Sequence, residues 1–389
     1  MCSRTTLSGG MLSVSATRFF CEPICLLLAA FLLAFSITPA FAEILIGVAG
    51  PLTGPNAQFG AQIQKGADFA AADINSAGGI NGEQIKLVLG DDLSDVKQGV
   101  SVANKFVADG VKLVVGHFNS GVSLYVSEVY AENGILMISP GSSSPMLTAR
   151  GLWNTFRTSS NALKEAELAA KYISDNYSKT EVWVVHDDTE SSKAITAVVR
   201  DALSLSGQSI NYSGLQNLSG SGQNEKVVFY DGVEELPDVS TTLANANVDG
   251  QLISLASPGL PSFLTPEGRD VVNRLEAAGF TPGRYALQAY AAIQILKQAA
   301  AVAGATDGDQ VAAALKRGTF STVIGEIHFD ANGDIDKTEI AIAHTPIKDD
   351  WNVASAGVSR VCGTTCPASC NNSCTSGEQC CNVASFQVR

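Results

Sequence analysis

The sequence predicts an α/β protein built on doubly wound parallel sheets, and three observations carry that expectation. Short apolar runs rich in β-branched residues alternate with longer segments whose apolar residues recur at helical spacing. Gly-Pro, Gly-Gly and Asn-Gly pairs punctuate the junctions. The stretch Val111–Gly151 repeats the unit most plainly, as strand, turn, helix, strand, turn. Val111–Val115 is the first strand; Val122, Tyr125, Val126 and Val129 mark the helix; Asn133-Gly134 stops it; Ile135–Ile138 is the second strand. In a parallel sheet both strand ends bring small hydroxylated residues to one edge: Ser120 from the first, Ser139, Ser142 and Ser143 from the second. Ligands of open α/β sheets bind at that carboxyl edge.

The chain has 389 residues and a net charge of −13. Its first 42 residues read as an export signal: Arg4 and Arg18 supply a basic start, Ile24–Phe35 an apolar core, and Ala40-Phe41-Ala42 a cleavage signal before Glu43. That core is too short for a comfortable bilayer span, and no later run is long and apolar enough to make one. The rest is long enough for two domains of ordinary size. An acidic chain without basic runs argues against nucleic acid and against an anionic membrane surface as partners.

From Glu43 onward, Ile44–Ala49 is the first strand, followed by GPLTGPNAQFG and a helix to about Asn75. A phosphate loop is excluded because no Lys stands where Gly-Lys-Ser/Thr must open the helix. Phe59 at the start of that helix is either ordinary packing or a wall of the site. Gln84–Leu89 is a strand ended by Asp91-Asp92, expected as solvated loop-end or cap residues because adjacent strand positions face opposite sides. Val96, Val100, Ala103 and Val107 mark a helix stopped by Gly110.

A second βα series begins with a helix over Asn161–Tyr177 and the strand Glu181–His186. A helix over Ser191–Leu205, a weak strand at Ser209–Tyr212, and strands Lys226–Tyr230 and Gln251–Leu255 follow. Ser257–Phe263 reads as a connection back, leading to helices over Pro266–Ala278, Arg284–Ala301 and Asp309–Lys316. Glu326–Phe329 and Glu339–His344 are expected to form a hairpin around Asn332-Gly333. The DANGDID segment lacks the Gly and Glu that a calcium loop needs at its sixth and twelfth positions, where Ile335 and Ala341 stand.

These segments resemble the periplasmic leucine/isoleucine/valine-binding proteins, the capture subunits of branched-chain amino acid ABC importers. The resemblance is carried by GPLTGPNAQFG, ADINSAGGINGEQIKLVLGDD, VANKFVADGVKLVVGH, ENGILMISPGSSSPMLTARG, VVHDD and TVIGEIHFDANGD, and is densest from Glu43 to Asp187. It implies a type I periplasmic-binding-protein fold, two lobes closing on a ligand about a three-segment hinge. Lobe 1 would comprise 43–160 and about 257–335, lobe 2 161–256 and about 336–350. It also implies a cleaved, periplasmic monomer that needs no cofactor, binds a free amino acid of branched-chain type or a similar small polar ligand, and delivers it to a membrane permease. Carried over by position, Ser120, Gly141, Ser142 and Ser143 would meet the ligand's carboxylate and ammonium. Phe59 and Tyr285 would be aromatic walls, and Asp231 the acidic partner of the ammonium.

Elementary chemistry supports the same assignment. Helix N-terminal amides attract a carboxylate and a first-turn hydroxyl adds a donor, although serines after strands are also common helix caps. Each hydrogen bond to a charged group contributes about 1.5–3 kcal/mol. Four or five of them, less the cost of closure, reach the roughly 8 kcal/mol of micromolar affinity.

The chain departs from the family in three places. Ser191 stands where an aromatic wall is usual. Between Tyr212 and Lys226 a helix–strand–helix unit is replaced by a Gly/Ser-rich loop, which shortens lobe 2 and makes a degenerate, weakly binding member the alternative reading. Beyond Trp351, Cys362, Cys366, Cys370, Cys374, Cys380 and Cys381 form a tail expected to be irregular. Their spacing is not that of common zinc sites, and the even number favours disulfides in an oxidising compartment. The usual family disulfide is missing, with Ser94 and Asn119 at its positions. An enzyme is not expected: no G-x-S-x-G surrounds Ser120, and the four histidines are scattered. His117 and His186, each ending a strand, read as satisfied structural residues.

Overall fold

The computed structural model describes residues 43–187, 190–218, 226–231, 236–256, 264–336, 339–347, 357–362 and 381–382. The export-signal expectation, the 219–225 loop and the 257–263 connection lie outside them.

The first sheet is built as the apolar runs dictate. Strand β1 (Glu43–Gly50) leads to α1 (Ala57–Ser76), β2 (Gln84–Asp91), α2 (Val96–Ala108), β3 (Leu113–Val115) and α3 (Ser120–Glu132). Then come β4 (Leu136–Ser139), the short α4 (Met146–Ala149) and β5 (Thr155–Arg157). All five strands are parallel, in the order β2-β1-β3-β4-β5. Alternation along β1 divides the core. Ile44, Ile46 and Val48 pack beneath α1 and the later helices of the same lobe, whereas Leu45 and Ala49 meet α2 and α3. Gly66 in α1 permits the tightest helix contact, since a Cβ there would lie 1.9 Å from the Ala286 carbonyl oxygen.

After β5 the chain enters a second sheet through α5 (Ala162–Tyr177), capped by Asn161 Oδ1 accepting from Leu163 N. Strand β6 (Glu181–His186), α6 (Glu190–Leu205), β7 (Ile210–Gly214), β8 (Lys226–Asp231), α7 (Leu236–Asn245) and β9 (Gly250–Ala256) follow. Their parallel part runs β7-β6-β8-β9. Helix α7 was not anticipated; its Val239 and Leu243 bury against Val228, Tyr230 and Leu252. The chain then builds α8 (Pro266–Ala277), α9 (Arg284–Ala303) and α10 (Gly308–Leu315), which cover the first sheet.

The expected hairpin is corrected. β11 (Gly325–His328) pairs with β10 (Thr319–Thr322), an unpredicted strand, while β12 (Glu339–Pro346) pairs antiparallel with β9 in the second sheet. The Asn332-Gly333 turn does form, closed by a bridge between Phe329 and Ile335. It holds the passage between the sheets instead of joining two strands of one. Within the cysteine-rich tail, expected to be irregular, β13 (Gly357–Cys362) extends the sheet beside β12, and β14 (Cys381–Asn382) pairs with β13.

Candidate functional site

The strand order of the first sheet places its topological switch point between β1 and β3. The connections leaving those two strands diverge there, which is where a crevice forms in a doubly wound sheet. Phe59 lies in the first turn of α1, after β1; Phe118 lies in the loop after β3, and Ser120 opens α3. Among the parallel strands of the second sheet the corresponding point lies between β6 and β8. Ser191 falls in the first turn of α6, directly after β6. Asp231 ends β8, in register with His186. The side chains of Ser191 and Asp231 lie outside the described residues.

Ser120 opens α3, and its Oγ accepts from Ser144 N at 3.3 Å, so the two strand-end segments meet as the sequence suggested. Ser143 is half-buried, and its carbonyl accepts from Ala162 N at 3.0 Å, joining this edge to the start of α5. Ser142 lies deeper. It is fully buried, and its hydroxyl is engaged by Ser123 Oγ (2.6 Å) and by the His117 and Phe118 carbonyls (both 3.3 Å). Ser139 is buried too, its Oγ donating to the His117 carbonyl at 2.8 Å. Neither hydroxyl faces the crevice. Both tie the ends of β3 and β4 together.

The aromatic residues gather into one cluster. Phe59 stacks on Phe118, with centroids 4.6 Å apart and planes 12° from parallel. Tyr285 meets both edge-on, at 5.7 and 5.0 Å. Gln62, one turn beyond Phe59 on α1, accepts from Gly283 N and donates to the Thr281 carbonyl, which sets the start of α9 and hence Tyr285. Arg284 lies over the Tyr285 ring, 4.8 Å from its centroid. Sequence reasoning missed Phe118, although it shows the signal used for Phe59, an aromatic residue at the carboxyl end of a strand. Phe118 also explains Gly141: a Cβ at that position would stand 2.7 Å from Phe118 Cδ2.

The loop between β1 and α1, which leads to Phe59, is anchored by Asp91, which accepts from Leu52 N, Thr53 N, Thr53 Oγ1 and Leu93 N. Burial pushes the Asp91 carboxyl up, but these donors outweigh it and hold the group below the usual carboxylate range. Asp92 overturns the expectation of a solvated residue. It is fully buried, with Oδ2 2.7 Å from His117 Nδ1 and Oδ1 accepting from Ser94 N. Asn119 precedes α3, and its Oδ1 is buried without a hydrogen-bond partner among the described residues. No group of three or more His, Cys, Asp or Glu placed to hold a metal ion occurs among the described residues.

Two sheets, each with a parallel doubly wound part and a switch point of the same kind, make up the architecture. The family model described as periplasmic binding protein matches residues 43–213 and 222–343. The chain is 41% identical over 329 residues to Leu/Ile/Val-binding protein homolog 1 of Brucella melitensis, covering 76% of this chain and 88% of that one. It is 36% identical over 341 residues to an amino acid binding protein of Pseudomonas aeruginosa, covering 78% and 91%. Among solved structures it resembles the branched-chain amino acid transporter substrate-binding protein LivJ of Streptococcus pneumoniae, crystallised with isoleucine. The TM-score is 0.67 at 20% identity, over 82% of this chain and 99% of that one. The chain belongs to the periplasmic binding protein family and has its type I, two-lobed fold. No described helix is long and apolar enough to cross a membrane.

Proposed function

We propose that this protein captures a free branched-chain amino acid in the periplasm, after cleavage behind Ala42, and presents it to the permease of an ABC importer. The observation that carries the reading is the juxtaposition at the first switch point of two unlike surfaces. One is the polar edge of Ser120, Gly141 and Ser143, where helix-start amides and hydroxyls suit a carboxylate. The other is the apolar face of Phe59, Phe118 and Tyr285, which suits an aliphatic side chain. Asp231, ending β8, supplies the carboxylate for the ammonium. Lobe closure couples capture to transport by shifting an open–closed equilibrium. The Brucella relative is named for leucine, isoleucine and valine binding and the Streptococcus protein was crystallised with isoleucine, which favours the same ligand class.

The break in the family match at 214–221 favours a second reading, a member whose altered second lobe grips weakly. Thermal melting against the twenty amino acids and small amides decides between them. A ligand present at 100 times its Kd stabilises by about 2.7 kcal/mol, enough to raise the melting temperature by several degrees. The proposal expects leucine, isoleucine or valine to give that rise. A flat response to every compound in the panel speaks for the weak binder.

A further inference from the structure

We infer that His117, clamped as a neutral imidazole between Asp92 and Tyr130, is a positioning residue for ligand binding, because its main-chain carbonyl gathers the serine hydroxyls that shape the carboxylate-gripping loops. The part of this inference that concerns binding rests on the function proposed above.

Three elements contribute to the clamp: Asp92 follows β2, His117 follows β3, and Tyr130 lies in the third turn of α3. All three side chains are fully buried. His117 Nδ1 is 2.7 Å from Asp92 Oδ2, and Nε2 is 3.0 Å from the Tyr130 hydroxyl. A carboxylate only accepts, so Nδ1 carries the proton and donates to Asp92. The state of Nε2 follows from the tyrosine. Were Nε2 also protonated, it would donate to the phenol oxygen, and the Tyr130 O–H would be a buried donor with no other hydrogen-bond partner among the described residues. An unmet buried donor is penalised more than an unused second lone pair. Burial, reinforced by the Asp92 charge, pushes the Tyr130 phenol well above its ordinary range, so it keeps its proton and donates to Nε2. The Asp92 charge is in turn met by Ser94 N, and it sits just before the amino end of α2.

With both ring nitrogens held, the His117 peptide is fixed as well. Its carbonyl accepts from Ser139 Oγ at 2.8 Å and from one of Ser142 Oγ (3.3 Å) and Ser123 Oγ (3.4 Å), the other of the two hydroxyls donating to its neighbour. Ser139 Oγ then accepts from Ser142 N (3.0 Å) and, at longer range, from Gly141 N (3.4 Å). Ser123 Oγ and Ser142 Oγ meet at 2.6 Å, linking the first turn of α3 to the same loop. The orientation of one imidazole is thereby passed to the Gly141 amide on one side and to the turn holding Ser120 on the other.

The test has one arm without ligand and one with it. In the ligand-free protein at neutral pH, ¹⁵N spectra of labelled histidine should show one imidazole with Nδ1 protonated and Nε2 bare. Tyr130→Phe should shift that Nε2 resonance and also the backbone amides of Gly141 and Ser142. An imidazolium, an Nε2-protonated ring, or unmoved loop amides in Tyr130→Phe would overturn the inference without reference to any ligand. In calorimetry with L-leucine, Tyr130→Phe and His117→Ala should bind about tenfold and at least thirtyfold more weakly. His117→Asn, which keeps a donor toward Asp92, should recover part of the loss. A purely structural role predicts lowered melting temperatures with leucine affinity unchanged, and that result would also overturn it. Absence of leucine binding by the unsubstituted protein would count against the proposed function, leaving the spectroscopic arm to judge the clamp.

Discussion

Replacing Asp334 with alanine should lower stability by about 3–5 kcal/mol, the cost of leaving a buried charge without its partner. The stranded group is Arg157, whose side chain is fully buried at the end of β5. Its Nε donates to Asp334 Oδ1 at 2.6 Å, and Nη1 donates to the Ser142 and Ser144 carbonyls at 3.1 and 2.9 Å. Asp334 also accepts from Thr148 Oγ1 and from Asn161 Nδ2, both at 2.7 Å. The network joins the binding-edge loop, α4, the start of α5 and the Asn332-Gly333 turn, all at a passage between the two sheets. Its loss should loosen the site as well as the fold.

The same carboxylate gives the effect a pH signature. Burial pushes Asp334 up, but the Arg157 guanidinium and the hydrogen bonds from Asn161, Thr148 and Arg157 outweigh it and hold the group below its ordinary 3.8. A folded-state value below the unfolded one means the stabilisation is fully present above 3.8 and fades as pH falls below it. Urea melts from pH 7 to pH 3 should show the difference between parent and Asp334→Ala shrinking only at the acid end. A difference below about 1 kcal/mol at pH 7 would contradict the buried-pair account.

Ser120→Ala is the second large effect, and it falls on binding. A hydroxyl donating to a carboxylate contributes about 1.5–3 kcal/mol, so its removal should weaken leucine affinity about 10- to 150-fold. Among the described residues this hydroxyl accepts a long bond from Ser144 N alone, so stability should barely change. Calorimetry and melting on the same preparation separate the two. Unchanged affinity would remove Ser120 from the site.

Much of this was legible in the chain. β-branched runs and helical spacing placed β1 to β4 and the helices between them to within a residue or two, because each is strongly patterned and closed by Gly, Asn or Asp, whereas β5 and the short α4 were not anticipated. Position after a strand placed Ser120 and Phe59 at the carboxyl edge of the first sheet, as the structure has them. What stayed hidden depends on long-range pairing. Nothing local tells that Ser142 and Ser139 spend their hydroxyls on the His117 carbonyl, or that Asp92 turns inward to His117, 25 residues away. Alternation along a strand, the argument that put Asp92 in solvent, does not extend past the strand's end. The hairpin failed for a related reason: Asn332-Gly333 is a true turn, but the partner of each flanking strand lies elsewhere. Helix α7 was missed because Pro237 in its first turn and a run of Ser and Thr masked the spacing of Val239 and Leu243.

The central claim is that the first switch point grips the carboxylate of an amino acid while its aromatic face takes the side chain. Titration calorimetry with L-leucine and with leucinol, which keeps the ammonium and side chain but replaces the carboxylate by a hydroxymethyl group, tests it directly. The account predicts a single leucine site of about micromolar Kd and at least a hundredfold weaker binding of leucinol. Equal affinity for the two compounds would contradict it.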